Sequence, residues 1–259
     1  SNENLDVLED FMYEHKKNWP LMSMEFWDGW FNRWGEDIIT RDAKDLADCV
    51  KELLMRASIN LYMFHGGTNF GFMNGCSARQ QRDLPQVTSY DYDALLTEAG
   101  DPTEKYYQVQ KVIKELFPHI KQQEPLIRQK HAYGKIPQTR CVSLFHTLDS
   151  LSNCQESVFP KTMEQLGEGY GYVLYKTEVK GFHQEEKVKV MEASDRIKVY
   201  KDQQHIITQY QEEIGEEFQI HFETKNELSI LVENMGRVNY GYKLLAPTQK
   251  KGIRSGVMV

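Results

Sequence analysis

The sequence contains no C-x-x-C pair. Its four cysteines, Cys49, Cys76, Cys141 and Cys154, are scattered over more than a hundred residues. That spacing excludes a zinc site of the usual kind and offers no disulfide framework, so the thiols read as reduced and no metal is expected. Basic clusters are missing too: 31 Lys and Arg stand against 38 Asp and Glu, a net charge of -7. Nucleic acid is therefore not an expected partner. No apolar run approaches the length needed to cross a bilayer, so no membrane partner is expected. The opening stretch from Ser1 to Asp10 is polar and acidic, unlike a secretory leader. There is no N-x-[ST] acceptor for glycosylation, which together with the thiols predicts a cytoplasmic location. The Gly-rich stretch His65-Gly66-Gly67-Thr68-Asn69-Phe70-Gly71 lacks both the G-x-G-x-x-G spacing and a P-loop Lys, so it is a poor phosphate cradle. No cofactor is expected, and neither an internal repeat nor a low-complexity tract is present.

What the chain does have is core-forming capacity and rings. Hydrophobic residues make up 40% and aromatics 12%, with 14 Tyr and 4 Trp. Its texture changes near residue 120. Before that point helical and strand patterns alternate. Leu5 to Asn18 places Leu5, Leu8, Phe11 and Met12 on one helical face, and Pro20 ends it. Leu21 to Phe26 reads as a short buried strand. Asp42 is a candidate N-cap for a helix whose Leu46, Ala47, Val50, Leu53, Leu54 and Ala57 form an apolar stripe. Ile59 to Phe64 reads as a buried parallel strand. Asp101-Pro102-Thr103-Glu104 predicts a helix start with Asp101 as cap, followed by inward Tyr106, Val109, Ile113 and Leu116. Strands followed by helices indicate parallel β/α units, yet two strands cannot close a barrel, so an incomplete set is expected.

After residue 120 short runs rich in Val, Ile, Tyr and Phe follow one another: Arg140 to Phe145, Gly171 to Val179, Lys187 to Met191, Arg196 to Tyr200, Ile206 to Tyr210, Phe218 to Thr224 and Glu227 to Val232. Alternation such as Lys187-Val188-Lys189-Val190 predicts a β-sandwich. The domain division expected is 1–120, a polar Pro-bearing linker at 121–138, and a β domain at 139–259.

The stretch most suggestive of chemistry is Met24-Glu25-Phe26-Trp27-Asp28-Gly29-Trp30-Phe31-Asn32-Arg33-Trp34-Gly35. A carboxylate at the C-terminal end of an apolar strand, followed by three Trp within nine residues, suits glycoside cleavage. Such a side chain attacks an oxocarbenium-like centre while rings hold the apolar sugar face. The competing reading is a buried Glu25 paired with Arg33 or Arg41 under a Trp-rich core. His65 reads as a hydrogen-bonded structural histidine. Tyr90 and Tyr92 share one face if their segment is extended, with Asp91 and Asp93 on the other.

Three runs, Glu25 through Trp34, Ile59 through Phe70, and Thr88 through Ala94 with Glu98-Ala99-Gly100, together resemble the β-galactosidases of glycoside hydrolase family 35. Leu231 through Gly241 is similar to the strand-and-turn signature of that family's first accessory β domain. The likeness spans nearly the whole chain and is nearest to compact bacterial, cytoplasmic-type members. It implies an α/β plus all-β fold: the C-terminal portion of a TIM (β/α)8 barrel, from helix six to helix eight, followed by a jelly-roll-like β-sandwich. It implies a retaining exo-glycosidase acting on β-galactosides, with Glu25 as nucleophile, Trp27 and Trp30 beside the sugar, and Tyr90 and Tyr92 lining the galactose pocket.

The likeness also implies what this chain does not hold. The family's acid/base Glu follows Asn after the fourth barrel strand. Asn2-Glu3 and Asn226-Glu227 are the Asn-Glu pairs here, and neither follows a barrel strand, so no acid/base residue is assigned. The expectations are a chain inactive by itself that self-associates or pairs with an N-terminal half. A non-catalytic carbohydrate-binding module, or a related glycosidase such as a glucosaminidase, are the alternatives left open.

Overall fold

A computed structural model describes residues 2–80, 82–182 and 184–259. The chain divides into two compact units, Ser1–Phe70 with Gln86–His131, and Gly71–Pro85 with Ala132–Val259. The arrangement is α/β followed by all-β.

In the first unit, α1 (Asn2–Glu14) precedes β1 (Met22–Trp27), α2 (Ala43–Leu54), β2 (Ser58–Tyr62) and α3 (Glu104–Leu116). β1 and β2 pair in parallel, Met22 with Ser58 and Trp27 with Tyr62, with an irregularity between Ser23 and Phe26. This is a β-α-β crossover, as the alternation of patterns predicts. α2 starts where Asp42 accepts a hydrogen bond from the Asp45 amide at 2.8 Å, a cap of the kind typically contributing about 1 kcal/mol. Its Leu46, Ala47, Val50 and Leu53 are buried. They meet Leu95, Val109 and Val112, with Phe26, Ile59 and Leu61 packed alongside. Each fully buried aliphatic side chain there stabilises by about 1.5–3 kcal/mol.

Three expectations need correction here. The first helix ends at Glu14 rather than running to Asn18, because Lys16 turns into the left-handed region at φ 51°. Its apolar face is also only partly covered, with Leu5 buried but Leu8 and Phe11 exposed. The cap of α3 is Thr103, not Asp101; Thr103 Oγ1 accepts from the Tyr106 amide, while the Asp101 amide donates to Thr97 Oγ1 at 3.0 Å. The threonine wins because Pro102 holds the residue before it out of the helical region and Asp101 closes its own loop.

In the second unit the chain first forms the hairpin of β3 (Gly75–Arg79) and β4 (Arg82–Pro85). Two short helices follow, α4 (Leu144–Leu151) and α5 (Met163–Leu166). Then come β5 (Gly171–Lys180), β6 (Glu185–Val190), β7 (Ala193–Ser194), β8 (Arg196–Lys201), β9 (Gln204–Tyr210), β10 (Phe218–His221), β11 (Lys225–Asn234), β12 (Arg237–Tyr240), β13 (Gly252–Ile253) and β14 (Val257–Met258). One sheet has the order β5-β11-β8-β9 and another β10-β6-β14. β11 pairs with β5 along its whole length, Lys225 with Lys180 through Asn234 with Gly171. Leu228, Ile230 and Val232 alternate into the core with Val199, Val188, Val190, Ile220 and Phe222. Apolar residues from both sheets thus share one layer, which is the sandwich arrangement.

The Arg140 to Phe145 strand is not formed. Residues 140–143 have no regular structure, and α4 begins at Leu144 behind Ser143, whose Oγ accepts from the Phe145 amide. A short apolar run is ambiguous between the two periods, and Leu144, Leu148 and Leu151 take the helical one. The third sheet, β12-β3-β4, has no counterpart in the sequence reading. β12 joins β3 there across 162 positions, through Arg237 paired with Gly75 and Val238 with Cys76.

Candidate active site

The site is built from the ends of β1 and β2 and from two loops of the first unit. Phe26 turns into the core, so its neighbours Glu25 and Trp27 face the opposite side of the strand. Glu25 is exposed there. The competing reading, an ion pair with Arg33 or Arg41, does not hold. Arg33 bonds Glu36 at 3.0 Å and Arg41 bonds Asp45 at 2.8 Å. Arg41 also donates to the Trp27 carbonyl at 3.0 Å, which fastens the strand end to α2.

The rings form one continuous cluster. Trp27 meets Trp30 edge-on at 4.8 Å between centroids, and Trp30 lies 6.1 Å from Tyr92. Tyr92 lies 5.5 Å from Tyr90 and 5.8 Å from Tyr62. Phe31 stacks on Trp30 at 5.1 Å and on Tyr90 at 6.2 Å. All four residues singled out with Glu25, namely Trp27, Trp30, Tyr90 and Tyr92, are therefore brought together. Trp27 is half exposed, whereas Tyr92 is buried.

Tyr90 and Tyr92 do not meet by extended alternation. Tyr92 and Asp93 take positive φ angles of 66° and 52°, so a turn, not a strand, sets the two rings side by side. Asp91 and Asp93 then serve different partners. Asp91 accepts from the Glu98 amide at 3.1 Å. Asp93 accepts from the Arg41 amide at 2.6 Å and pairs with Lys105.

Burial pushes the Tyr90 phenol up to about 12, with Tyr62, to which it is hydrogen-bonded, and the negative charge of Glu25 adding to the effect. Tyr92 is raised as well, first by burial, then by Tyr90, Tyr62, Asp28 and Glu25. Both phenols thus stay neutral, and their O–H groups are donors. The charge of Glu25 is thus felt at both phenols.

The two loops are stitched together by Glu98, whose carboxylate accepts from Thr68 and from Ser89 Oγ at 2.6 Å. The Tyr90 amide donates to the Gly67 carbonyl at 2.9 Å, and Asn69 to the Thr88 carbonyl at 2.8 Å. His65 Nε2 lies 3.2 Å from the Glu98 carbonyl, in keeping with a structural histidine. A β-carbon on Gly66 would stand 1.8 Å from the Tyr90 carbonyl oxygen. The glycine therefore permits close backbone approach.

Four contributors escaped the sequence reading: Tyr62, Asp28, Gly29 and Lys105. Asp28 is fully buried, and burial pushes it up to about 6 against the opposing pull of its own backbone amide, of Lys105 and of the Met63 amide. Lys105 is 4% exposed. A signal for it existed: Lys105 precedes Val109 by four residues and Val112 by seven, on the apolar face of α3, where a cation needs a buried partner. The hollows of about 450 Å³ around Lys176, Asp202 and Asn226 and about 170 Å³ around Asp83, Asp195 and Lys243 both belong to the second unit. Neither includes Glu25, which stands on an open aromatic surface. Among the described residues no three His, Cys, Asp or Glu side chains could hold a metal ion, and no helix is long and apolar enough to cross a membrane.

Residues 2–116 match the model of glycosyl hydrolases family 35, and residues 160–259 match that of the first all-beta domain of beta-galactosidase. The chain belongs to glycosyl hydrolase family 35. It is 36% identical over 256 residues to beta-galactosidase-1-like protein 3 of Homo sapiens, an overlap covering 96% of this chain and 38% of that protein. It is 35% identical to beta-galactosidase 8 of Oryza sativa subsp. japonica, covering 94% of this chain and 38% of the relative. For the beta-galactosidase of Xanthomonas manihotis the figures are 34%, 91% and 40%. This family 35 chain thus spans about two fifths of the length of the curated relatives it matches. Animal, plant and bacterial members match it about equally.

Proposed function

We propose that this chain carries the nucleophile half of a retaining β-galactosidase. The observation that bears the reading is Glu25: an exposed carboxylate at a strand end, free of the two arginines that could have neutralised it, beside two neutral phenols and a Trp surface. The names of the relatives support galactose as the sugar. Glu25 attacks the anomeric carbon, forming a carboxylate–sugar ester as the glycosidic bond breaks. A second carboxyl, about 5 Å away in retaining enzymes, protonates the departing oxygen and then deprotonates the water that cleaves the ester. The phenols of Tyr90 and Tyr92 donate to Glu25 or to sugar hydroxyls. Trp27 and Trp30 carry the apolar face of the ring.

The β1–α2–β2 crossover serves as strands seven and eight of a (β/α)8 barrel. Support comes from the uncovered face of β1 and β2, where Met22, Met24, Trp27 and Tyr62 are exposed. Further barrel strands, or a second chain, would cover it. No residue of this chain is placed as acid/base, so the 259 residues alone do not turn over substrate; general acid catalysis typically contributes about 10²–10⁴-fold.

The test is Glu25→Gln in the polypeptide that carries this chain together with its acid/base residue. Hydrolysis of a nitrophenyl β-galactoside is abolished while galactose still binds. Retention of full turnover would remove Glu25 from the mechanism. Turnover by the purified 259-residue chain, free of host enzyme, would refute its inactivity.

A further inference from the structure

The geometry points to Lys105 as the positioning residue that locks the loop following the Glu25 strand to the tyrosine loop. Its ammonium donates to the Asp28 carbonyl at 2.8 Å and to the Asp93 carbonyl at 2.6 Å, and it pairs with the Asp93 carboxylate. These acceptors come from two segments: one follows Glu25 by three residues, the other follows Tyr92 directly. Two carbonyl dipoles and a carboxylate converge on one buried point. Without a cation at that point they repel, and in a low-dielectric interior the repulsion is strong. An ammonium has three protons for three acceptors, so the match is complete.

The segments are also pressed together here. A β-carbon on Gly29 would stand 1.8 Å from the Tyr92 carbonyl oxygen and 3.1 Å from that of Asp93. Contact that close leaves the two backbones no slack, so their spacing is set where the lysine joins them. Asp93 hands the restraint on, because its carboxylate also accepts from the Arg41 amide at 2.6 Å, and Arg41 in turn holds the Trp27 carbonyl. Lys105 thus fixes the separation of Trp30 from Tyr92, and with it the aromatic wall beside Glu25. It touches no substrate and acts through the backbone of Asp28 and Asp93.

This role rests on the reading of Glu25, Trp30 and Tyr92 as the sugar site, but it can be tested without turnover. Hydrogen exchange is measured on the 259-residue chain and on its Lys105→Ala variant. In the variant, peptides covering 26–33 and 88–96 exchange about ten-fold faster or more, while those of α2 are unchanged. n-Propylammonium, which replaces the deleted carbons and the three donors, restores slow exchange, and tetramethylammonium, with equal charge and no N–H, does not. Unchanged exchange in both peptides overturns the proposal, as does equal rescue by the two ions. Should the variant not fold, the parent decides: a slowly exchanging Lys105 ammonium resonance with scalar couplings to the Asp28 and Asp93 carbonyl carbons sustains it, and absence of those couplings overturns it. The glycosidase reading fails separately, on Glu25→Gln.

Discussion

Gly29 and Tyr92 meet so closely that a single β-carbon on the first would overlap the backbone oxygen of the second, at 1.8 Å. The partner is backbone, held by a turn at positive φ, and it cannot swing aside as a flexible side chain would. The motif Trp27-Asp28-Gly29-Trp30 therefore needs glycine for room rather than for an unusual backbone angle.

Gly29→Ala should accordingly destabilise the first unit by about 1–3 kcal/mol or more, the usual cost of forcing a methyl into filled space. Urea unfolding followed by Trp fluorescence measures it. A change within about 0.5 kcal/mol, the range of ordinary surface substitutions, would show that the two segments part easily.

Asp28 makes stability depend on pH in a direction opposite to that of a paired carboxylate. Its pKa rises from 3.8 to about 6 on folding, chiefly through burial, so the folded state resists ionisation. The favourable contribution of the neutral acid is complete below pH 4 and is lost as pH rises through about 6. Asp28→Asn should thus be near neutral at pH 4 and stabilising at pH 8, by an amount on the order of 2 kcal/mol. Melting temperatures of both proteins across that range decide it. A gain that is the same at both ends would mean that Asp28 does not titrate as its burial requires.

Trp27 is half exposed and stacks edge-on with Trp30. Trp27→Ala should lower affinity for galactose-type ligands in the catalytically complete polypeptide by roughly ten-fold or more, as loss of a stacking ring does, with little effect on the melting temperature. Calorimetric titration reads the first and thermal unfolding the second. Intact binding would take this ring out of the sugar site.

In the second unit, Lys251 is wholly buried and its ammonium lies 2.7 and 2.9 Å from the Asp195 carboxylate oxygens. Burial raises the Asp195 acid and Lys251 opposes that rise. Lys251→Met should destabilise by about 3–5 kcal/mol at neutral pH, because it strands a buried carboxylate. The loss should shrink at low pH, where Asp195 is protonated. Denaturant titrations at pH 7.5 and pH 4.5 test both parts, and an equal loss at the two would deny that the stranded charge is the cause.

Much of the fold was legible along the chain. The stripe from Leu46 to Leu53, the cap at Asp42 and the strands from Gly171 to Val232 all announce themselves in neighbouring residues, and those elements form as read. The run from Arg140 to Phe145 misled because four apolar residues fit either period. The pairing of β12 with β3 was invisible because it joins segments about 160 residues apart, which no local pattern encodes.

By itself the sequence determined the candidates: a carboxylate at a strand end, rings at Trp27, Trp30, Tyr90 and Tyr92, and the order of the two textures. Those follow from residue type and short-range periodicity, which act over one or two turns of chain. Only tertiary structure decided that Glu25 stands uncovered and that Asp93 takes up the Arg41 amide from 52 residues away. It also decided that Tyr90 and Tyr92 are joined by a turn, and that Lys105 reaches 77 residues back to Asp28. Charges and dipoles interact through space, and their partners are chosen by whatever the packed core brings within a few ångströms.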